Sequence, residues 1–265
     1  MSEHFDVVVI GGGPAGYPAA IRAAQNGLSV ACIDGWRNYD GSYAFGGTCL
    51  NAGCIPSKAL LHASERFHEA QHDFAKLGIK AKIDLDLTAM MAQKTKVVSE
   101  LTKGVEFLFK KNKIEWIKGS ARLLGKGKIE VTGADARTLT AKKDIIVATG
   151  STPRSVPGIT IDKTHIITSD QAIHLKAVPK RLAIMGSGAV GVEFASIYKR
   201  FGAEVTIIEL MPRLVPNEDE AVSAELAKAF KKRGIASKVG TKVTSAKVKS
   251  GEVHIEMADG AGKTE

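Results

Sequence analysis

Cysteine is scarce in this chain: there are three in 265 residues, Cys32, Cys49 and Cys54. So few cannot supply the disulfide framework of a small secreted domain, and a chain this long can bury a core without one. No apolar run is long enough to span a bilayer. The start, Met1-Ser2-Glu3-His4-Phe5-Asp6, has no basic segment ahead of its apolar run, which excludes the signal-peptide pattern. A reducing, cytoplasmic setting is therefore expected, where a cysteine pair is more often catalytic than structural. Aromatic residues make up only 6% of the chain, and none is interleaved with the scattered lysines. The net charge of +9 thus reads as a solvated surface, with no nucleic-acid partner. His62, His68 and His72 have no cysteine or paired acid at metal-ligand spacing and read as surface or helix-face residues, and no metal is expected.

What is abundant is glycine in two ordered arrays. Phe5–Ile10 is a short apolar run rich in β-branched residues, the pattern of a buried parallel strand. Gly11, Gly13 and Gly16 then fill G-x-G-x-x-G, with Pro14 and Ala15 between them. An alanine-rich helical stretch runs on to Gln25 and stops at Asn26-Gly27, and the strand Leu28–Ile33 ends at Asp34. Asp34 stands 23 positions after Gly11. The pattern repeats from Arg181–Met185: Gly186, Gly188 and Gly191 enclose Ala189 and Val190, a helix runs to Phe201, and the strand Val205–Ile208 ends at Glu209, again 23 positions on.

Strand, glycine turn, helix and acid in this register are what a dinucleotide site requires. The glycines let the backbone approach a pyrophosphate, the helix N-terminus supplies amides, and the acid accepts from a ribose hydroxyl. Two complete copies favour two nucleotide cofactors. Glu209 would repel a 2′-phosphate, which favours NAD over NADP at the second copy.

Two of the cysteines lie in Gly46-Gly47-Thr48-Cys49-Leu50-Asn51-Ala52-Gly53-Cys54-Ile55-Pro56-Ser57-Lys58. Five residues of regular helix rise about 7.5 Å, whereas a disulfide wants its Cα atoms roughly 4.4–6.8 Å apart. If Cys49 and Cys54 pair, the segment must bend between them, with Gly53 able to supply that freedom. A small loop of this kind in a cysteine-poor chain suggests a redox centre more than a staple. Zinc lacks two further ligands nearby. Cys32, in an apolar strand, reads as a small core residue.

Elsewhere, helical spacing is expected over Ser57–Asp73, and over Leu87–Lys111 with Leu101, Val105, Leu108 and Phe109 on one side. An antiparallel insertion is expected from Ile114–Ile117, Ala121–Leu124, Lys128–Val131 and Arg137–Thr140, with turns at Gly119, Gly125, Gly127 and Gly133. Asp144–Ala148 forms a further strand, leading into Thr149-Gly150. Residues 151–179 read as a crossover and linker with one helix near Ser169–Leu175. A helix over Asp219–Lys232 and strands at Lys242–Lys249 and Glu252–Met257 complete the pattern.

With two such turns flanking Cys-x4-Cys, the sequence resembles the flavin-dependent pyridine nucleotide–disulfide oxidoreductases. The wording GGTCLNAGCIPSKALL, with GGGPAG, ATGS at Ala148–Ser151 and GSGAVGVE at Gly186–Glu193, is most similar to the dihydrolipoamide dehydrogenase branch. Ala52 departs from the valine expected there. The glutathione and mercuric reductase types share the architecture and remain the alternative.

The resemblance implies an α/β fold of two Rossmann-like domains, the first with a three-layer ββα arrangement and an antiparallel β insertion, the second incomplete. Residues 1–178 would bind FAD and carry the redox-active disulfide, and residues 179–265 would bind NAD. FAD would lie on Gly11–Gly16 and Asp34, with Gly47, Thr48, Lys58, Thr149 and Gly150 near it and Gly119 and Ala121 touching its adenine side through backbone groups. NAD would lie on Gly186–Gly191 and Glu209, with Val243 at its adenine. Glu193 would pair with Lys58. Cys49 would exchange with the substrate dithiol and Cys54 would face the flavin. The implied partners are lipoyl domains of 2-oxo acid dehydrogenase complexes and a second subunit in a homodimer. A C-terminal domain with a His-Glu pair is also expected, and none of the seven histidines stands in such a context. By itself the chain would then be a non-catalytic nucleotide-binding fragment.

Overall fold

The computed structural model describes residues 3–154, 156–260, 262 and 264. The expected linker over 151–179 is therefore assessed without Ser155, which lies outside the described residues. The chain falls into two compact units, Met1–Pro56 with Thr95–Thr152, and Ser57–Lys94 with Pro153–Glu265.

The first unit is built on β1 (Glu3–Ile10), α1 (Gly16–Gln25) and β2 (Val30–Asp34), followed by α2 (Gly47–Asn51). Two helices, α3 (Cys54–His72) and α4 (Leu87–Lys111), cross the division between the units. After them come β3 (Glu115–Lys118), β4 (Ser120–Gly125), β5 (Lys128–Thr132) and β6 (Arg137–Val147). One six-stranded sheet results, ordered β3-β2-β1-β6-β5-β4, parallel from β3 to β6 and antiparallel from β6 to β4.

The apolar run of β1 is continuous because both of its faces are covered. Val7 and Val9 pack with Val30, Cys32, Ala20 of α1 and Val105 and Phe109 of α4. Val8 and Ile10 pack with Ala31, Ile33, Ile117, and Ile129, Val131, Leu139 and Ala141 from β5 and β6. The antiparallel strands thus cover the face opposite the helices, giving the expected ββα layering.

Three expectations need correction. Ile114–Ile117 is not part of the antiparallel insertion: β3 pairs parallel with β2, setting Ile117 opposite Ile33. It follows a helix, and a strand reached by a helical crossover returns parallel. Arg137–Thr140 and Asp144–Val147 are one strand, not two. The register with β1 advances from Phe5↔Ala141 to Val7↔Asp144, so the Lys142-Lys143 run is absorbed as a bulge. In α4, Val105 and Phe109 are buried but Leu101 and Leu108 are exposed, and the inward face is completed by Thr102.

The second unit has a parallel sheet of β7 (Arg181–Met185), β8 (Glu204–Ile208) and β9 (Ala236–Lys238), with α6 (Ala189–Arg200) and α7 (Glu220–Lys232) as crossovers. A hairpin of β10 (Thr241–Lys249) and β11 (Glu252–Asp259) follows. Asp219 caps α7 by accepting from the Ala221 amide at 2.8 Å. The crossover helix α5 is only Ser169–Ala172, started by a capping box on Thr168. Three-residue β9 was not anticipated: Ala-Ser-Lys has no strand pattern, and its pairing with β8 alone defines it.

Candidate functional site

The first glycine turn leaves β1 at Ile10 and enters α1 at Gly16. A Cβ on Gly16 would run into the Gly11 carbonyl oxygen, and one on Gly11 would run into the Ala148 carbonyl oxygen. Both glycines are required by backbone approach. Gly13 differs: a Cβ there would meet only Gly47 Cα, at 3.8 Å. Its side faces open space, as a position reserved for a ligand backbone would. Pro14 and Ala15 are exposed beside it. Ala148 donates its N–H to the Ile10 carbonyl at 2.8 Å, which brings Thr149 and Gly150, both exposed, to the turn.

Asp34 ends β2 and is 9% exposed. Its Oδ1 accepts from the Trp36 N–H at 3.2 Å, while its Oδ2 is buried with no hydrogen-bond partner among the described residues. Burial pushes this carboxyl up, against the pull of the Trp36, Gly12 and Gly35 amides. A buried acceptor without a donor is costly within the chain. A ribose hydroxyl is the group that would satisfy it, so the residues present fit a nucleotide here. Gly119 adjoins this end, donating its N–H to the Asp34 carbonyl at 3.2 Å. Ala121 lies on β4 opposite Val131 and packs against the core, so its side chain is not free for a ligand.

The cysteine segment is joined to the same turn. A Cβ on Gly47, which holds φ +56°, would lie 2.9 Å from Gly13 Cα. Gly46 donates its N–H to the Gly12 carbonyl at 3.0 Å. Thr48 is exposed and Cys49 half-buried on α2, and Cys54 is exposed at the first residue of α3. The helix is interrupted between the cysteines, as pairing would require. The break falls at Ala52, with φ −135° and ψ 0°, not on Gly53 conformational freedom. Gly53 is outside the left-handed region, and a Cβ there would lie 3.0 Å from the Thr48 carbonyl oxygen and 3.3 Å from Cys49 Cα. Gly53 permits close packing of the second cysteine's turn on the first. Cys32 is fully buried, and burial first, then the Asp34 charge, pushes its thiol up, as suits a core residue.

In the second unit, Gly188 caps α6 and a Cβ on Gly191 would run into the Gly186 carbonyl oxygen. Ala189 and Val190 are exposed at the helix start. Glu209 is 7% exposed and held by three donors: Ser187 N–H and Ser187 O–H, each 2.7 Å from Oε2, and Met211 N–H, 2.8 Å from Oε1. Burial alone would raise its pKa, but the Met211 and Ser187 hydrogen bonds outweigh burial and hold the carboxyl below its usual range. The anion is fixed at the mouth of the turn with acceptor capacity left on Oε1. Val243 packs with Ile159, Ile208 and Ala246, so its side chain belongs to the core. Lys58 on α3 pairs with Glu193 on α6, within this unit. Two residues of these sites were not singled out by sequence: Ser187, filling the variable position of the second motif, and Asn51, a polar residue buried between the cysteines.

The sequence profile of the family described as pyridine nucleotide-disulphide oxidoreductase matches residues 5–264. The chain is 49% identical to dihydrolipoyl dehydrogenase 3 of Pseudomonas putida over 99% of its own length and 55% of that protein's. It is 43% identical to the mitochondrial dihydrolipoyl dehydrogenase of Pisum sativum, over 98% and 51% of the two chains. It is 44% identical to the leghemoglobin reductase of Vigna unguiculata, over 98% and 49%. The chain spans about half the length of the curated relatives it matches.

Proposed function

This chain belongs to the pyridine nucleotide-disulphide oxidoreductases, and we propose that its parent protein works as an NAD-dependent dihydrolipoyl dehydrogenase, to which this chain contributes the two nucleotide turns and the cysteine pair. The observation that carries this reading is the attachment of the Cys49–Cys54 segment to the first glycine turn through Gly47 against Gly13. A dithiol-reactive pair is thereby tied to the place where a flavin nucleotide would be held. Residues 1–178 are assigned to FAD and residues 179–265 to NAD. Gly11 and Gly16 close the turn, Gly13 leaves the space through which the flavin pyrophosphate would approach, and Asp34 would accept from its ribose. Gly186, Gly188 and Gly191 do the same for NAD, with Glu209 favouring a free 2′-hydroxyl.

The chain's own chemistry begins with a substrate thiolate attacking Cys49 Sγ of the oxidised pair. The Cys49–Cys54 bond breaks, Cys54 leaves as a thiolate, and a mixed disulfide remains on Cys49. The second substrate thiolate attacks that mixed disulfide, forming the cyclic substrate disulfide and releasing Cys49. Cys54 lies at the first residue of α3, where main-chain N–H groups without helix partners favour an anion. Lys58 is held by Glu193, which fixes a cation one helical turn beyond Cys54. When bound, the flavin supplies the two-electron acceptor for the dithiol, and the nicotinamide the final hydride acceptor.

Lipoyl domains of 2-oxo acid dehydrogenase complexes are the proposed substrate carriers, a homodimer the proposed assembly, and the cytoplasm the proposed compartment. Among the described residues, no helix is long and apolar enough to cross a membrane. Anaerobic titration of the flavin-loaded protein tests this reading. Dihydrolipoamide is expected to bleach the flavin absorbance, NAD to restore it, and Cys49→Ser to abolish the reduction. Equal reduction by glutathione, or reduction that survives Cys49→Ser, would overturn it.

A further inference from the structure

Asn51 lies between the two cysteines, at the last residue of α2, and is only 7% exposed. A buried carboxamide is costly unless its donors and acceptor are satisfied. Its Nδ2 donates to the Phe45 carbonyl at 2.7 Å and to the Gly47 carbonyl at 3.0 Å. Both partners can only accept, which settles which end of the amide faces them. Its Oδ1 accepts from Thr102 Oγ1 on α4 at 3.3 Å. Phe45 is itself fully buried, with ring centroids 4.2 Å from Phe109 and 4.1 Å from Trp116. One side chain therefore ties the cysteine segment to the Phe45–Gly47 turn, which packs on Gly13, and to α4. Every group in this tie lies in the first unit.

We propose that Asn51 is the positioning residue of the cysteine pair, holding Cys49 and Cys54 in the geometry that favours the disulfide and so setting the pair's midpoint potential. This rests on the reading of Cys49 and Cys54 as a redox couple. When the couple is oxidised, two thiols lose two protons and two electrons and one S–S bond forms. The disulfide needs the two sulfurs together and the dithiol does not. Loosening the segment therefore disfavours the oxidised form and raises the potential. Asn51 touches neither substrate nor cofactor in this scheme; it acts through the backbone that carries the sulfurs.

The test is equilibration of the purified protein in dithiothreitol redox buffers, followed by alkylation of Cys49 and Cys54 and mass analysis. Fully buried Cys32 serves as the internal control. Asn51→Ala is expected to lower the disulfide formation constant on the order of tenfold, the scale of one buried hydrogen bond. That corresponds to a rise of about 30 mV for a two-electron couple. Asn51→Asp keeps the acceptor for Thr102 but loses both donors, and is expected to move the potential at least as far. Thr102→Val, which removes only the 3.3 Å contact, is expected to change the constant less than about threefold. Asn51→Ala and Asn51→Asp both within twofold of wild type would overturn the inference; if the alanine variant does not fold, the aspartate variant decides by the same criterion. A wild-type protein with no two-electron couple at Cys49 and Cys54 would overturn the redox reading and this inference together. A normal couple that ignores Asn51 overturns this inference alone.

Discussion

Gly13 and Gly16 belong to one motif, yet substituting each with alanine should have opposite consequences. At Gly16 the added methyl meets the Gly11 carbonyl oxygen well inside van der Waals contact, and neither group belongs to a side chain that can rotate away. The turn must then spread, which costs at least about 3 kcal/mol, at the upper end of overpacking penalties. At Gly13 the nearest heavy atom would be Gly47 Cα, at 3.8 Å, and the backbone is outside the left-handed region. Gly13→Ala should therefore fold and gain about 0.4–1 kcal/mol by restricting the unfolded chain. Its methyl, however, occupies the space through which a pyrophosphate would approach. Displacing one charge-assisted hydrogen bond of about 1.5–3 kcal/mol corresponds to roughly 10- to 150-fold weaker binding. Thermal unfolding without ligand and fluorescence titration with FAD separate the two effects. Gly13→Ala should show an unchanged or slightly raised Tm with lost FAD affinity, and Gly16→Ala a lowered Tm. Wild-type FAD affinity in a folded Gly13→Ala protein would refute the reasoning.

The same contrast is expected in the second unit, where Gly188→Ala has open space around the new methyl and Gly191→Ala runs into the Gly186 carbonyl; NADH titration and Tm should again dissociate. Glu209→Gln should weaken NADH binding about tenfold, by loss of a charged acceptor, and narrow the preference over NADPH by a similar factor. In the wild type, the depressed Glu209 pKa contributes stability present above its unfolded value of 4.5 and lost as pH falls through the lower folded value; denaturation curves below pH 4.5 should show this loss reduced in Glu209→Gln. Lys94 is 3% exposed, donates to the Ile173 carbonyl at 2.8 Å, and lies 3.2 Å from His174 Nδ1. Burial lowers its pKa from 10.5 to about 8, so the protonated side chain costs stability in full below pH 8, and the cost disappears as pH rises towards 10.5. Burial, and secondarily Lys94, takes His174 down to about 4, so acid should destabilise the unit as pH falls from 6.5 to 4. Relative to Lys94→Met, the wild type should gain on the order of 2 kcal/mol between pH 8 and 10.5, after discounting for residual solvation of the ammonium. A flat difference in urea-unfolding free energy across that range would exclude this coupling.

Much of this was legible because nucleotide turns and buried strands are local patterns. The register of Gly11, Gly13 and Gly16 after a β-branched run located the turn and α1 directly. Helix α4 was bounded correctly at Leu87 and Lys111, but its inward face was not: Leu101 and Leu108 share a stripe with Val105 and Phe109, and only packing chose between them. Strand β3 cannot be told from a meander strand by sequence, because four residues before a glycine look alike in a meander and in a crossover; its parallel pairing with β2 decides. Strand β9 left no mark at all. Among site residues, Ala121 and Val243 are placed near nucleotides by resemblance; packing turns both side chains into the core, which leaves the main chain of Ala121 for the backbone contact expected of it.

The sequence by itself determined the chemistry available: two glycine turns with acids at equal spacing, and two cysteines five positions apart. Those features rest on backbone sterics and on charge, which act over a few residues. Tertiary structure decided which glycines are closed by neighbouring carbonyls and that Gly13 and Gly188 are left open. It also decided that Asp34 keeps an unsatisfied oxygen while Glu209 is anchored by Ser187 and Met211. The helix break between the cysteines falls at Ala52, held by a carboxamide whose partners lie on the Phe45–Gly47 turn and on α4. Long-range packing sets these outcomes, because a buried polar atom is satisfied or stranded by whatever the rest of the chain brings to it.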